Sequence, residues 1–407
     1  MKKIIVLSTI TSGLLLAGAY KLPEQSLNSM ALGAAYVAHT TQADTAYFNP
    51  ANMAFMGDKQ YIDGAVTLIH LPSNTYNLVE PYSGKSQVEN IVAPTMHYVA
   101  APMGDFRWGV SLTVPGGLTK QWDTPYQKLY AQEFTLKNVE LNPVFSYKVN
   151  DQFAIGGGLR VVYSEGVVKS DGRGTTPYPI ARDMEGDTIE FGYNLAMTYR
   201  PTSDISMAVT YRSNIDLKEE GQANLYFGGV GQQYDADVTV PLPAALNIAV
   251  SKTWNNTFTL EFNYERTYWS TYKSLDFNYG QPILNPVLAG AFDTPIDKNW
   301  SDTNTFRLGA TMVFDKLTMM MGFAIDETPV PDKTIGFELP DSDAKIVTMG
   351  FRYQQTEDIS WGLAFLIDSK DPRTIPAGVA DNPILANGGS FGDGGAYLMT
   401  VGMSYEF

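Results

Sequence analysis

Residues 189–200 read Ile-Glu-Phe-Gly-Tyr-Asn-Leu-Ala-Met-Thr-Tyr-Arg. Ile189, Phe191, Tyr193, Leu195, Met197 and Tyr199 share one face, and Glu190, Gly192, Asn194, Ala196, Thr198 and Arg200 the other. A strand sends successive side chains to opposite faces, so this is a strand with one wholly apolar face. The pattern recurs at Phe153/Ile155/Leu159/Val161/Tyr163, Ile205/Met207/Val209/Tyr211 and Phe258/Leu260/Phe262/Tyr264. It continues at Phe306–Phe314, Leu317–Phe323, Val347–Tyr353 and Ile359–Phe365. In a sandwich the second face meets water and is rich in charge. Here it is small and sparsely charged, with Ala154, Gly156, Gly158 and Ser164 opposite the Phe153 series. An enclosed lumen with lipid outside explains both faces, and Tyr and Trp at strand ends suit an interfacial girdle.

Composition agrees. Charged residues are 17% and aromatics 12% of 407 residues, against about 25% charged in an ordinary soluble domain. Apolar residues are plentiful, which excludes disorder. No segment after the N-terminus has the roughly 20 continuous apolar residues of a membrane-spanning helix. The net charge is −15, so a basic nucleic-acid footprint is absent. There is no Cys and only three His, at 39, 70 and 97. Thiolate and His-based metal or catalytic sites are not expected, nor is any cofactor.

The first residues read as a leader. Lys2 and Lys3 are a basic start, Ile4 to Leu16 an apolar run, and Ala17-Gly18-Ala19 a small-residue cleavage site. A signal peptide is expected over 1–19, cut after Ala17 or Ala19. Tight turns are expected at Gly104-Asp105, Asn150-Asp151, Pro201–Asp204, Trp254–Asn256, Asp315-Lys316 and Thr356–Asp358. Long loops fall between them, near 71–87, 116–130, 169–186, 219–236, 270–301, 327–342 and 368–392. Six turns and seven loops connect fourteen strands. The fold expected over 60–407 is an all-β transmembrane barrel of about 14 antiparallel strands, with both termini on the short-turn side. The last strand alternates Tyr397, Met399, Val401, Met403, Tyr405 and Phe407. It resembles the C-terminal signal of bacterial outer-membrane proteins, which implies the barrel-assembly machinery as a partner, along with outer-membrane lipid and lipopolysaccharide. A monomer in the bacterial outer membrane is expected.

Residues 18–59 do not alternate. Small and apolar residues there suit short helices. Pro50 suits a first helical turn, with Asn49 placed to cap it. A segment this apolar belongs inside the barrel, as an N-terminal, partly helical hatch plugging the lumen. By parity Arg107, Arg160, Arg212, Arg307, Arg352, Glu190, Glu261 and Glu265 also face inward. They either anchor the hatch or, at one or two Arg, meet a carboxylate ligand.

The motifs Leu32-Gly33-Ala34-Ala35-Tyr36, Asn49-Pro50-Ala51, Pro241-Leu242-Pro243, Tyr268-Trp269-Ser270, Asp326–Pro331 and Leu339–Asp343 occur in this order. In order and spacing the chain resembles the FadL family of outer-membrane transporters for long-chain fatty acids and other hydrophobic compounds. Ala344 and Lys345 stand where many members carry an Arg, so no role of that Arg transfers. The resemblance implies a transporter rather than an enzyme. A hydrophobic small molecule is captured in the lumen and released sideways through a kink in the third strand. Here that strand is Phe106 to Val114, broken at Pro115, Gly116 and Gly117. The candidate substrate-binding residues are Tyr20, Phe48, Met53, Phe55, Arg160 and Arg307. The hatch motif is Asn49, Pro50 and Ala51, and the lateral gate Pro115, Gly116 and Gly117. An aromatic-hydrocarbon transporter and a general porin-like barrel remain as alternatives. Gly388-Gly389-Ser390-Phe391-Gly392 matches a hydrolase serine pattern, but it lies in a Gly-rich loop without the strand and helix such a serine needs.

Overall fold

The computed structural model describes residues 19–175 and 179–407. The leader expected over 1–19 lies outside them apart from Ala19. The alternating segments form the strands of one closed antiparallel barrel. They are β1 (Tyr61–Leu71), β2 (Glu89–Val99), β3 (Phe106–Thr113, resumed as Gly117–Gln121), β4 (Glu133–Lys148) and β5 (Phe153–Asp171). Then come β6 (Ile180–Thr202), β7 (Ile205–Arg212, resumed as Ile215–Phe227), β8 (Val230–Leu242, resumed as Ala245–Trp254) and β9 (Phe258–Thr267). The circuit ends with β10 (Thr303–Phe314), β11 (Leu317–Asp326), β12 (Ala344–Gln354), β13 (Ile359–Lys370) and β14 (Gly395–Glu406). β14 pairs with β1 from Tyr61↔Glu406 to His70↔Tyr397, which closes the ring. Closure satisfies the backbone polar groups that a bilayer would leave unpaired.

The faces fall as the alternation requires. Phe191 is 69% and Leu195 56% exposed, and Met197, Phe262, Met349, Val401 and Met403 are exposed beside them. An apolar surface of this extent needs lipid, not water, around it. The short turns sit at one end. Asn255, Asn256 and Asp315 adopt positive φ there, a conformation that Asn and Asp tolerate in two-residue hairpins.

The strands outrun the apolar pattern. The loop expected at 219–236 is a ladder up to a turn at Gly228 and Gly229. Within the loop expected at 169–186, β5 runs on to Asp171 and β6 has begun by Ile180. The one expected at 116–130 holds the second piece of β3 and a helix, Pro125–Ala131. The outer faces of the β6–β8 extensions carry Asp183, Glu185, Lys218 and Glu220. Above the bilayer the outer face meets water, so apolar alternation stops where hydrogen bonding does not. Beyond the strands the long loops pack an apolar cap around Tyr76, Trp122, Tyr234, Trp269 and Phe337.

Residues 19–59 lie against the inner wall. Helix α1 (Leu27–Ala31) starts on a capping box between Ser26 and Ser29. α2 (Thr45–Phe48) leads into a 3₁₀ helix, Pro50–Phe55. Asn49 does not cap it as expected. Its side-chain amide donates instead to Val37 O (2.8 Å) and to Thr198 Oγ1 of β6 (2.9 Å). The buried amide N–H groups are satisfied by the wall and by the segment itself. Glycines admit the segment. A Cβ on Gly156 would lie 2.6 Å from Ala51 N, and one on Gly322 2.2 Å from the Leu32 carbonyl carbon.

Leu195→Lys should lower folding stability in bilayers by about 2–4 kcal/mol, the cost of a cation at mid-bilayer on a barrel's lipid face. Urea titration in vesicles measures it, and parental stability would refute the face assignment. Gly322→Val should displace residues near Leu32 while heat-modifiable gel mobility still reports a closed barrel.

Candidate functional site

The inward charges divide into two groups. One group holds the N-terminal segment. Glu261 of β9 accepts the successive amides of Val37, Ala38 (2.9 Å) and His39 (2.8 Å). Arg352 of β12 donates to Asn28 Oδ1 (3.1 Å) and pairs with Asp63 of β1 (3.0 Å). Arg107 of β3 donates to Met53 O (3.2 Å) and Ala100 O (2.7 Å). Removing one partner from the buried Arg352–Asp63 pair costs about 3–5 kcal/mol. Glu190 stays near the rim of its face, where Thr188 donates to it at 3.4 Å.

The other group surrounds a cavity of ≈ 60 Å³. Lys21, Leu22, Pro23 and Phe48 line it from the segment, and Pro115, Arg160, Arg212, Leu242, Glu265 and Arg307 from the wall. Arg160 donates twice to Glu140 Oε2, at 3.1 and 2.9 Å, and once to Ser213 O at 2.6 Å. That carbonyl is available because β7 breaks between Arg212 and Ile215. Arg212 bonds the other Glu140 oxygen and lies over the Tyr47 ring, 4.2 Å from its centroid. Lys21 Nζ is 2.7 Å and Arg307 Nη2 3.2 Å from Glu265. Arg160 and Arg212 thus share Glu140, and Lys21 and Arg307 share Glu265, with Asp326 and Glu24 also attracting Arg307. Arg307 Nε and Nη1 are buried and have no hydrogen-bond partner among the described residues. Buried donors left unpaired carry a desolvation cost that an entering acceptor would relieve.

The candidate ligand residues do not all meet. Phe48, Arg160 and Arg307 line this cavity. Tyr20 sits beside it in the cap, edge-on to Trp269 at 4.8 Å, its hydroxyl on Pro241 O. Met53 packs in a separate cluster with Ala43, Ala46, Val99 and Val144. Phe55 lines a polar cavity of ≈ 420 Å³ at the short-turn end, under the Arg200 guanidinium at 4.2 Å. The 3₁₀ turns carry Met53 and Phe55 down the lumen, and side-chain type does not report depth. Lys21, Gln25 and Glu140 were missed. Glu140 had a signal, the polar stripe Asn138/Glu140/Asn142 under outward Leu141. Ser390 lies in a short strand between Thr75–Asn77 and Arg373–Ile375, part of the cap.

At Pro115-Gly116-Gly117 the wall ladder is interrupted. β2 and β3 share four residue pairs, from Val99↔Gly109 to Met96↔Leu112. Continued, that register would set Pro94 against Val114 and Ala93 against Pro115, and proline has no N–H to donate. Residues 89–95 pair only with β1. The strands rejoin above, where Gln87 N donates to Gln121 O at 2.8 Å. Backbone groups of 114–117 turn to the N-terminal segment instead. The Gln25 amide accepts from Val114 N and donates to Val114 O, both at 2.7 Å. Leu22 N donates to Pro115 O (3.0 Å), and Gly117 N to Tyr20 O (2.8 Å). Gly116 is required by this approach, since a Cβ would lie 2.7 Å from Tyr20 O.

Residues 8–407 match the model of the family described as outer membrane protein transport protein (OMPP1/FadL/TodX). The chain belongs to the OMPP1/FadL/TodX family. It is an outer-membrane protein, and in outer-membrane barrels the short-turn end is the periplasmic one. It is similar to the long-chain fatty acid transport protein of Escherichia coli O6:H1, 24% identical, with 93% of each chain covered. It is similar to outer membrane protein P1 of Haemophilus influenzae, 22% identical over 88% of this chain and 89% of the relative. Among solved structures, a Pseudomonas aeruginosa FadL homologue shares the fold with a TM-score of 0.81 at 19% identity, covering 95% and 99% of the two chains. The Pseudomonas putida toluene transporter TodX does so at 0.73 and 15%, covering 97% and 99%. Members of the OMPP1/FadL/TodX family are transporters rather than enzymes.

Gln25→Ala leaves two buried backbone groups of Val114 unpaired. Amide exchange of residues 19–26, read by mass spectrometry, should rise about 5–30-fold for the 1–2 kcal/mol lost. Unchanged exchange would mean that the segment is held elsewhere.

Proposed function

We propose that this chain takes up hydrophobic small molecules with a carboxylate head, long-chain fatty acids above all, across the outer membrane. The observation that carries the reading is Arg307. Its Nε and Nη1 are buried without partners among the described residues, on a cavity whose other wall is Phe48, Leu22 and Leu242. Each free N–H of a guanidinium can donate a charge-assisted hydrogen bond to a carboxylate oxygen. Each CH₂ moved from water to an apolar site is worth about 0.8 kcal/mol, so a long chain favours this lumen over an aqueous pore. The names of the curated relatives support the same class.

The cavity of ≈ 60 Å³ is far below the roughly 300 Å³ of a typical ligand pocket. A whole acyl chain enters only if Lys21–Pro23 and Phe48 move. Those residues belong to the segment that bonds the break in β3. Capture therefore displaces the hatch and frees the wall at Pro115, Gly116 and Gly117, and the ligand leaves sideways into the bilayer. Asn49, Pro50 and Ala51 tie the remainder of the hatch to β5 and β6.

Labelled oleate uptake into cells lacking another route tests this. Arg307→Gln should reduce it about tenfold, the size of one charge-assisted hydrogen bond, and leave toluene uptake unchanged. A parent that takes up toluene but not oleate would favour the aromatic-hydrocarbon reading. Steady ion conductance without either would favour a porin.

A further inference from the structure

Lys120 lies outside the cavity just described. It sits on the second piece of β3 and is 2% exposed. It shares a face with Leu118 and Trp122, which are in the apolar cap. Its ammonium has one hydrogen bond among the described residues, to Asn74 Oδ1. It is in none of the ion pairs of those residues. Glu89 attracts it and Lys370 repels it, and Lys370 is already bonded to Asp341. A cavity of ≈ 30 Å³ adjoins Lys120, bounded also by Leu71, Asn74 and Asp341, which is room for about one water. A buried ammonium with donors to spare and no direct carboxylate partner is costly.

Its position gives that cost a use. Gln121, the next residue, forms the upper rim of the break between β2 and β3 by accepting from Gln87. Below the rim, Ile91, Ala93 and Val114 belong to one buried apolar cluster. Outside, the wall at this height is polar. His70 bonds Asn90 at 2.8 Å, and Glu133, which is paired with Gln121 across the ladder, bonds Lys169 at 3.0 Å. Lys120 is thus level with the extracellular interface, and the apolar cluster is level with the membrane. An anion at mid-bilayer is expensive, whereas a chain there is favoured.

We propose that Lys120 is a second, exit-side station for an anionic head. It pairs with the carboxylate of an amphiphile whose chain passes over Ile91, Ala93 and Val114 and out between β2 and β3. The ligand leaves chain first, with its head held at the interface until the chain is in lipid. This rests on the transport reading above and extends it. The station also sets substrate class at the exit, since a neutral hydrophobic molecule has no use for it.

The test measures uptake of labelled oleate and of oleyl alcohol by the full chain, with heat-modifiable mobility to confirm folding, and oleate binding to purified protein. Lys120→Gln should lower oleate uptake about tenfold. Oleyl alcohol uptake and equilibrium oleate binding should stay at the parental level, because Arg307 is untouched. Lys120→Arg should restore most of the oleate uptake. Equal loss for both probes, loss of binding, no rescue by Arg, or no change in Lys120→Gln would each overturn the station. A parent that takes up no oleate would overturn the transport reading itself, and the station with it.

Discussion

A peptide group inside a bilayer must find its hydrogen-bond partner within the protein. Most of this molecule obeys by closing a ladder on itself, from β1 round to β14 and back. At one place the ladder fails. Pro94 and Pro115 fall in adjacent pairs of the register that β2 and β3 would continue. The missing partners come from the lumen, through Gln25, Leu22 and Tyr20. The Gln25 side chain serves Val114 as a neighbouring strand would, with one donor and one acceptor. The wall and the segment behind it are therefore one hydrogen-bonded unit, and moving the segment unpairs the wall.

The lumen charges follow from this arrangement. Glu261, Arg352 and Arg107 fix the segment through its backbone and through Asn28. The backbone contacts of Glu261 and Arg107 do not depend on which side chains the segment displays, whereas that of Arg352 needs Asn28. Arg160, Arg212 and Arg307 gather where β7 and β8 are broken, and the breaks leave carbonyls and space on the inner wall. The first group holds the segment to the wall, and the second lines a charged, partly apolar cavity beside the part of the segment that bonds the wall break. The cavity and the wall break are neighbours because Lys21–Pro23 line the one while Leu22 bonds Pro115 of the other.

Much of this was legible in the chain. Strict alternation at Ile189–Tyr199 and in the last strand, with small residues on the second face, admits few folds other than a lipid-facing barrel. It also assigned inward parity to Arg160 and Arg307. It did not reveal the extensions of β5 to β8, because their outer faces meet water and lose the apolar signal while the backbone ladder continues. It did not separate Met53 and Phe55 from Phe48, because an irregular segment has no period from which depth can be read.

The sequence by itself determined the class of fold, the strand count, the orientation of each side chain in the alternating strands and the position of the break at Pro115-Gly116-Gly117. These are consequences of local chemistry: a period of two, a ring without an N–H, a residue without a Cβ. Only the tertiary structure decided what meets what. The partnership of Gln25 with Val114, the clasp of Glu261 on three amides and the sharing of Glu265 by Lys21 and Arg307 join residues tens to hundreds of positions apart. Such contacts depend on how far each strand has risen and on where the plug comes to rest. Both are fixed by closing the barrel around the segment, and neither leaves a periodic trace in the chain.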